Sequence, residues 1–459
     1  MDIDKFQKTT FKKISYLIIG VGVGVMGAVY PWAYAIILLL CVGIAIYYLD
    51  IKKTVEILFW IVVVAMFLGA YLSIPGHESI YLFRILLPLH LFLLLVNQDF
   101  DIENLKKYRI YLLLLLLYFA TSILSLCWAE STTLGIRYCY FIFEICYLFV
   151  ICFYHLNSEK QFMRLFKLIT VFFSLNLCIG ILEIILGWHL PLSGSSVYVT
   201  TTSQFQPTGF LFNTNDYALL LAVFYPLAAC YLLELKNRKL SLILYTVITI
   251  MTIYVVVSTY SRIGMLAIGI GILTVFLYHF KQKGIVLCII SAPIVLILAF
   301  FSSFGKNLID IVYSAFTDKG TSTSARGHLY ELLIQIIQDS HFMGIGAGNV
   351  PRQLSTLMIG YAEDSSEAYV TGHNFWLETI GNIGVIGFIF CVGIFILYII
   401  QLLYMKSSGK WYLPLLVWIS FMGASIALST ILEKRFLWFM IAFGICYIKY
   451  HSKKEIHNE

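Results

Sequence analysis

The sequence predicts an all-α, polytopic transmembrane helix bundle of about 12–14 spans, and three observations carry that prediction. The 459 residues are 60% hydrophobic, 16% aromatic and 12% charged, with a mean hydropathy of +0.87, far outside the range of a soluble globular chain. The apolar residues come in runs of about 17–22, the length a helix needs to cross roughly 30 Å of hydrocarbon. The runs show no period of two, and in lipid only helices or closed barrels satisfy their own backbone, so helices remain.

Spans are predicted near 14–30, 32–49, 54–73, 80–96, 110–127, 138–154, 165–186, 216–234, 240–257, 263–280, 284–302, 376–402, 411–430 and 435–450, with a turn at Pro31 dividing the first two. Met1 to Lys13 is polar and of mixed charge, so the first run reads as a retained span rather than a cleaved signal. The ten cysteines, among them Cys146, Cys178, Cys230 and Cys391, form no CxxC and read as small packing residues. The net charge of +6 is first a topology signal and not a nucleic-acid patch. Lys52 and Lys53, Lys106 and Lys107, Lys160 and Arg164, Lys236 and Arg238, Lys281 and Lys283, and Lys406 and Lys410 all fall on one side, which the positive-inside rule makes cytoplasmic, with both termini. Two long loops are left on the outer face, 187–215 and 303–373. Three regions follow: an N-terminal bundle (1–209), a central region with the larger loop (210–402), and C-terminal helices with a cytoplasmic tail (403–459).

The larger loop is predicted to be partly helical. Leu308, Ile309, Ile311, Val312, Ala315 and Phe316 follow helical spacing, as do Leu329, Leu332, Leu333, Ile336 and Ile337. Two amphipathic helices are expected, on the membrane surface or against the bundle. Gly344, Gly346 and Gly348 turn the chain before Pro351. An acidic patch, Glu363, Asp364 and Glu367, precedes His373 and Asn374 in "TGHNFWLETIGNIGVIGF".

Candidate functional residues gather at that face. Arg262 in "STYSRIG" sits at the outer junction of two spans, where the charge rule disfavours it. An arginine costs about 2.5–3.5 kcal/mol at a helix centre and less near the interface, so an anionic partner is its natural offset; snorkelling to a lipid headgroup is the plainer reading. Lys434 and Arg435 also break the rule, with Glu433 beside them as a local offset. Arg326 stands at the start of the second loop helix. His373 at a helix start serves equally as a cap or interfacial residue, and Asn374 as an N-cap. Imidazole nevertheless titrates near neutrality and suits removal of a proton from a sugar hydroxyl. Gly381, Gly384 and Gly387 recur every three residues, as close helix packing requires; no strand precedes them, so they form no nucleotide loop. Arg84, inside the fourth span, reads as a diphosphate contact or as the structural partner of Glu144 or Glu183. Arg137 stands at the outer start of the sixth span.

In order, "PTGFLFNTNDYALLL", "STYSRIG", a crossing pair of spans, "ARGHLYELLIQIIQDSHFMGIGAGNVP" and "GHNFWLETIGNIGVIGF", about residues 210–400, resemble the signature region of the O-antigen ligase and polymerase superfamily of bacterial envelope glycan enzymes. The resemblance implies a GT-C-type glycosyltransferase of the bacterial cytoplasmic membrane. Its donor would be a polyprenyl-diphosphate-linked glycan and its acceptor a glycan or lipid, without metal or cofactor. Its partners would be membrane lipids, a chain-length regulator and a flippase. The family's two arginines fall on Arg262 and Arg326, to hold the diphosphate, and its loop histidine on His373, the general base. Arg84, Arg137, Asn374, Asn215 and Gly346 are expected at the substrate. The family's proline after an earlier histidine is Phe342 here, so His341 is left out of the catalytic set.

Elementary chemistry supports those roles. A polyprenyl diphosphate leaving an anomeric carbon gathers charge that Mg²⁺ or fixed cations must meet. The outer face shows no carboxylate pair of the DxD kind apart from Glu363 and Asp364, so two guanidinium forks would do the metal's work. A base opposite them gives in-line attack and inversion. A polymerase joining lipid-linked repeats and a ligase moving a finished chain share this chemistry, and "PTGFLFNTNDYALLL" favours the polymerase. A transporter or flippase would show related halves and midplane charges; no internal repeat is visible, and the unusual charges gather at the outer face.

Overall fold

The computed structural model describes residue 43 and residues 50–74, 77–97, 102–194, 204–317, 322–359, 369–405, 410–428 and 430–456. The predicted spans 14–30 and, apart from residue 43, 32–49 lie outside the described residues, as does the acidic patch Glu363, Asp364 and Glu367. The chain divides into two compact units, Met1–Asp101 and Ile102–Glu459; the boundaries expected at 209 and 402 fall inside the second.

In the first unit, α1 (Ile51–Leu68) packs on α2 (Leu82–Val96). α1 is capped by Asp50, whose side chain accepts the Lys52 amide at 2.7 Å. Between the helices Ser73–Ile74 pairs antiparallel with His77–Tyr81, the one strand pair among the described residues. The Arg84 guanidinium lies 4.9 Å from the Tyr81 ring centroid, a cation–π arrangement.

The second unit is an all-α bundle, as predicted. It runs α3 (Arg109–Leu124), α4 (Thr132–His155), α5 (Glu159–Leu186), α6 (Thr214–Leu233), α7 (Arg238–Ser258), α8 (Arg262–Phe301), α9 (Ser303–Thr317), α10 (Ser322–Asp339), α11 (Val350–Ile359), α12 (Phe375–Tyr404), α13 (Tyr412–Ala427) and α14 (Arg435–Ile456). The central helix is α6, buried almost throughout and packed on α5, α7, α8 and α13. Among the described residues, eight helices are long and apolar enough to cross a membrane, and α2 and α13 are shorter apolar helices. The charged break predicted between spans 263–280 and 284–302 is one non-helical residue inside α8, Lys281 (φ 51°, ψ −134°).

Both predicted loop helices form, as α9 and α10, and α10 takes the second of its two expected resting places. Its Leu333 and Ile336 cluster with Val350 and Leu354 of α11, and Leu377 of α12 packs against them.

The glycine triplet divides its labour. Gly381 serves close packing, since an added methyl group would lie 2.8 Å from Val350 Cγ2. Gly384, at φ 76° and ψ 176°, instead breaks α12. The carbonyls of Gly381 and Asn382 then accept the Ile345 and Gly346 amides at 2.8 and 3.0 Å, and the Val385 amide donates to Phe342 O at 3.0 Å. Asn382 Oδ1 accepts the Val350 amide at 3.1 Å. Loop and broken helix are thereby stitched together. In Gly384→Ala the new methyl would sit 2.5 Å from Met343 O in a backbone conformation that only glycine adopts readily. The substitution should destabilise by about 2–4 kcal/mol, read as a lower thermal midpoint in detergent; an unchanged midpoint would mean that the break tolerates a side chain.

Candidate active site

The first turns of α6, α8 and α12 share one end of the second unit with the last turn of α13. α6 is capped by Asn213, whose Oδ1 accepts the Asn215 amide at 2.7 Å, so Asn215 sits half-buried in the opening turn. Asp216, buried one residue on, takes Lys434 Nζ at 2.5 Å. Ser261 precedes α8 and accepts the Gly264 amide at 3.3 Å. Gly264 lets that turn approach α6, since an added methyl would lie 2.4 Å from Ala218 Cβ. One on Gly423 of α13 would lie 3.0 Å from Ile263 Cγ2. Arg262 therefore starts a helix wedged between α6 and α13. It is half-buried, and its side chain makes no hydrogen bond or ion pair with the described residues.

The last turn of α13 gathers the loop residues. Arg326 Nη2 donates to Ala427 O at 3.2 Å. One turn on, the Tyr330 hydroxyl donates to His373 O at 3.3 Å and lies 3.4 Å from Ile426 O. Trp376 Nε1 donates to Ser425 Oγ at 2.8 Å. Three successive residues of one helix end thus dock both α10 and the segment that carries His373.

His373 has a left-handed backbone, φ 52°, uncommon outside glycine and held only where its surroundings demand it. Asn374 is the N-cap expected of it, accepting the Trp376 and Leu377 amides at 3.1 and 3.2 Å. Glu378 reaches back to the Gly372 amide at 2.6 Å, and Tyr330 holds the His373 carbonyl. His373 Nδ1 is buried with no hydrogen-bond partner among the described residues.

Burial above all, and then the Arg326 guanidinium, hold the His373 pKa below its ordinary value, while the Ala427 carbonyl and the Asp216 carboxylate act the other way. The ring therefore stays neutral, and able to accept a proton, to more acid pH than free imidazole. If His373 is the base, the acid limb of kcat/KM should lie below about pH 6.5; a limb at or above that value would point to another group.

Other cations at this end are matched. Arg435 Nε and Nη2 reach Glu144 Oε2 at 2.9 and 2.7 Å, and Arg137 Nη2 lies 3.4 Å from Glu433 Oε1. The offset expected from Glu433 for Lys434 and Arg435 thus comes from carboxylates on α6 and α4 instead. Successive residues of a turn point apart, and only the Glu433 carbonyl meets Arg435, at 3.2 Å. Sequence reasoning missed Asp216 and named Glu144 only as a partner for Arg84. The signal was a carboxylate within an apolar span, which demands a cation. Arg262 and Arg326, by contrast, meet no carboxylate among the described residues.

Of the remaining predicted site residues, Gly346 (φ 102°) packs on Ala129, where an added methyl would come within 2.4 Å of Cα, and its amide is given to Asn382 O. Arg84 belongs to the first unit. Arg137 lines a cavity of about 290 Å³ with Tyr138, Tyr369, Thr371, Glu378 and Thr430 among others. Chemically, the end of the bundle offers two cations suited to an anion and a neutral imidazole suited to a proton.

Residues 247–392 match the family model described as O-Antigen ligase, a stretch that holds Arg262, Arg326 and His373. Over 396 residues, 81% of this chain and 79% of the relative, the sequence is 26% identical to the teichuronic acid biosynthesis protein TuaE of Bacillus subtilis (strain 168).

Proposed function

We propose, on the premise that this chain belongs to the O-antigen ligase and polymerase superfamily, that it polymerises polyprenyl-diphosphate-linked oligosaccharide at the outer face of the cytoplasmic membrane, as an inverting, metal-independent glycosyltransferase. A multi-pass membrane enzyme of surface-polysaccharide biosynthesis is the coarser statement within it. The relative's name favours a teichuronic-type product.

In this reading His373 takes the proton of an acceptor hydroxyl and the oxygen attacks the anomeric carbon. The bond from that carbon to the diphosphate oxygen breaks, and the configuration inverts. Arg262 and Arg326 meet the charge that stays on the departing polyprenyl diphosphate. One observation carries the reading: two guanidinium groups lack a carboxylate partner among the described residues, and one of them acts electrostatically on a half-buried imidazole whose buried Nδ1 is unbonded.

The test is incubation of purified protein with a defined polyprenyl-diphosphate oligosaccharide. A ladder of products supports the polymerase. A single transfer to an added acceptor selects the ligase, the second reading, which the family description favours. Absence of any new glycosidic bond defeats both and leaves a transporter. EDTA should leave the rate unchanged, because fixed cations stand where Mg²⁺ would otherwise act; strong inhibition would reveal a required metal.

A further inference from the structure

Resting on that transferase reading, we propose that the cavity beside the cluster is the acceptor subsite and takes a single terminal sugar ring of the acceptor glycan. The cavity shares two pieces of backbone with the cluster. Thr371 and Phe375 of its wall bracket His373 in the chain, and its lining at Thr430 to Glu433 continues the strand of chain that leaves Ala427, the residue that receives Arg326.

Its chemistry separates a sugar from a phosphate. Tyr138, Phe141, Tyr369 and Phe375 bring aromatic rings, and such rings stack on the C–H face of a pyranose while leaving its hydroxyls free. Thr371 and Thr430 bring hydroxyls. The Glu378 carboxyl takes the Gly372 amide at 2.6 Å and the His373 amide, and its remaining hydrogen-bonding capacity is open to a sugar hydroxyl. The one guanidinium at the rim, Arg137, faces Glu433 at 3.4 Å, so the cavity offers no unmatched cation. Without a free cation in its wall it disfavours a diphosphate, which belongs with Arg262 and Arg326. A volume of about 290 Å³ lies at the small end of ligand pockets and suits one ring rather than a chain. Arg137, expected at the substrate, thereby stands at the rim of the acceptor site.

The experiment uses the full-length protein in detergent, the polyprenyl-diphosphate oligosaccharide as donor, and as acceptor the repeat-unit oligosaccharide freed from its lipid by mild acid. Tyr369→Ala should raise the acceptor KM about fivefold to tenfold through lost stacking, with kcat and donor KM within about twofold of wild type. Tyr369→Phe should keep the wild-type acceptor KM. Saturation-transfer NMR of the free oligosaccharide on the same proteins gives a readout that needs no turnover, and its signal should weaken in Tyr369→Ala. An acceptor KM unchanged in Tyr369→Ala, or a rise confined to the donor KM, overturns the subsite while leaving the transferase reading intact. Wild-type protein that binds the free oligosaccharide through Tyr369 but transfers nothing overturns the transferase and keeps a sugar site. Neither binding nor transfer overturns both.

Discussion

Arg262→Ala and Arg326→Ala should each abolish long-chain surface glycan in a complementation assay while the protein accumulates in the membrane at its wild-type level. Loss of one preorganised charge from a departing group is expected to lower kcat/KM by about 10²–10³, or about 3–4 kcal/mol. The fold should survive, because Arg262 has no partner among the described residues and Arg326 gives one hydrogen bond to a carbonyl, worth about 0.5–3 kcal/mol net. Arg262→Lys should recover little, since an ammonium cannot reproduce a two-pronged fork on phosphate oxygens. Arg435→Ala sets the contrast: it strands the buried Glu144 carboxylate, costs about 3–5 kcal/mol, and should lower protein level. Wild-type chain length in both alanine variants would end the diphosphate assignment.

His373→Ala should lose turnover by about 10²–10⁴-fold, the usual contribution of a positioned base, and still bind the lipid-linked donor. Alanine is poorly suited to φ 52°, so His373→Asn is the sharper variant, because asparagine visits that conformation readily and cannot take the proton. Both variants should be inactive, with the asparagine protein the more stable of the two. Full activity in either would remove the imidazole from the chemistry, and loss of donor binding in both would make it a binding residue instead.

Much of this arrangement was legible before any coordinates. The lengths of the apolar runs announce the spans, the lysines mark the break at Lys281, and helical spacing announces α9 and α10. The order of motifs singles out Arg326 and His373, and the fold ties both to α10 and its neighbours, Arg326 through Ala427 and His373 through Tyr330. What stayed hidden were contacts between residues far apart in the chain. Nothing local says that Asp216 meets Lys434 or that Glu144 meets Arg435, because an ion pair is set by how helices pack and not by what flanks each charge. Gly384 misled for a related reason. A glycine repeat has the same spelling whether it admits a neighbouring helix or an unwound turn, and only the loop amides it accommodates tell the two apart.

The interrupted span α12 has a mechanical corollary. Two amides of the loop are hydrogen-bonded to the carbonyls before its discontinuity, and a loop carbonyl holds the amide just after it. Its first half carries His373 at its head through the Asn374 cap. Tilting that half would therefore pull on residues 345 and 346, while Phe342 stays tied to the half beyond the break. Any movement of the histidine would thus strain the loop that is stitched across the break.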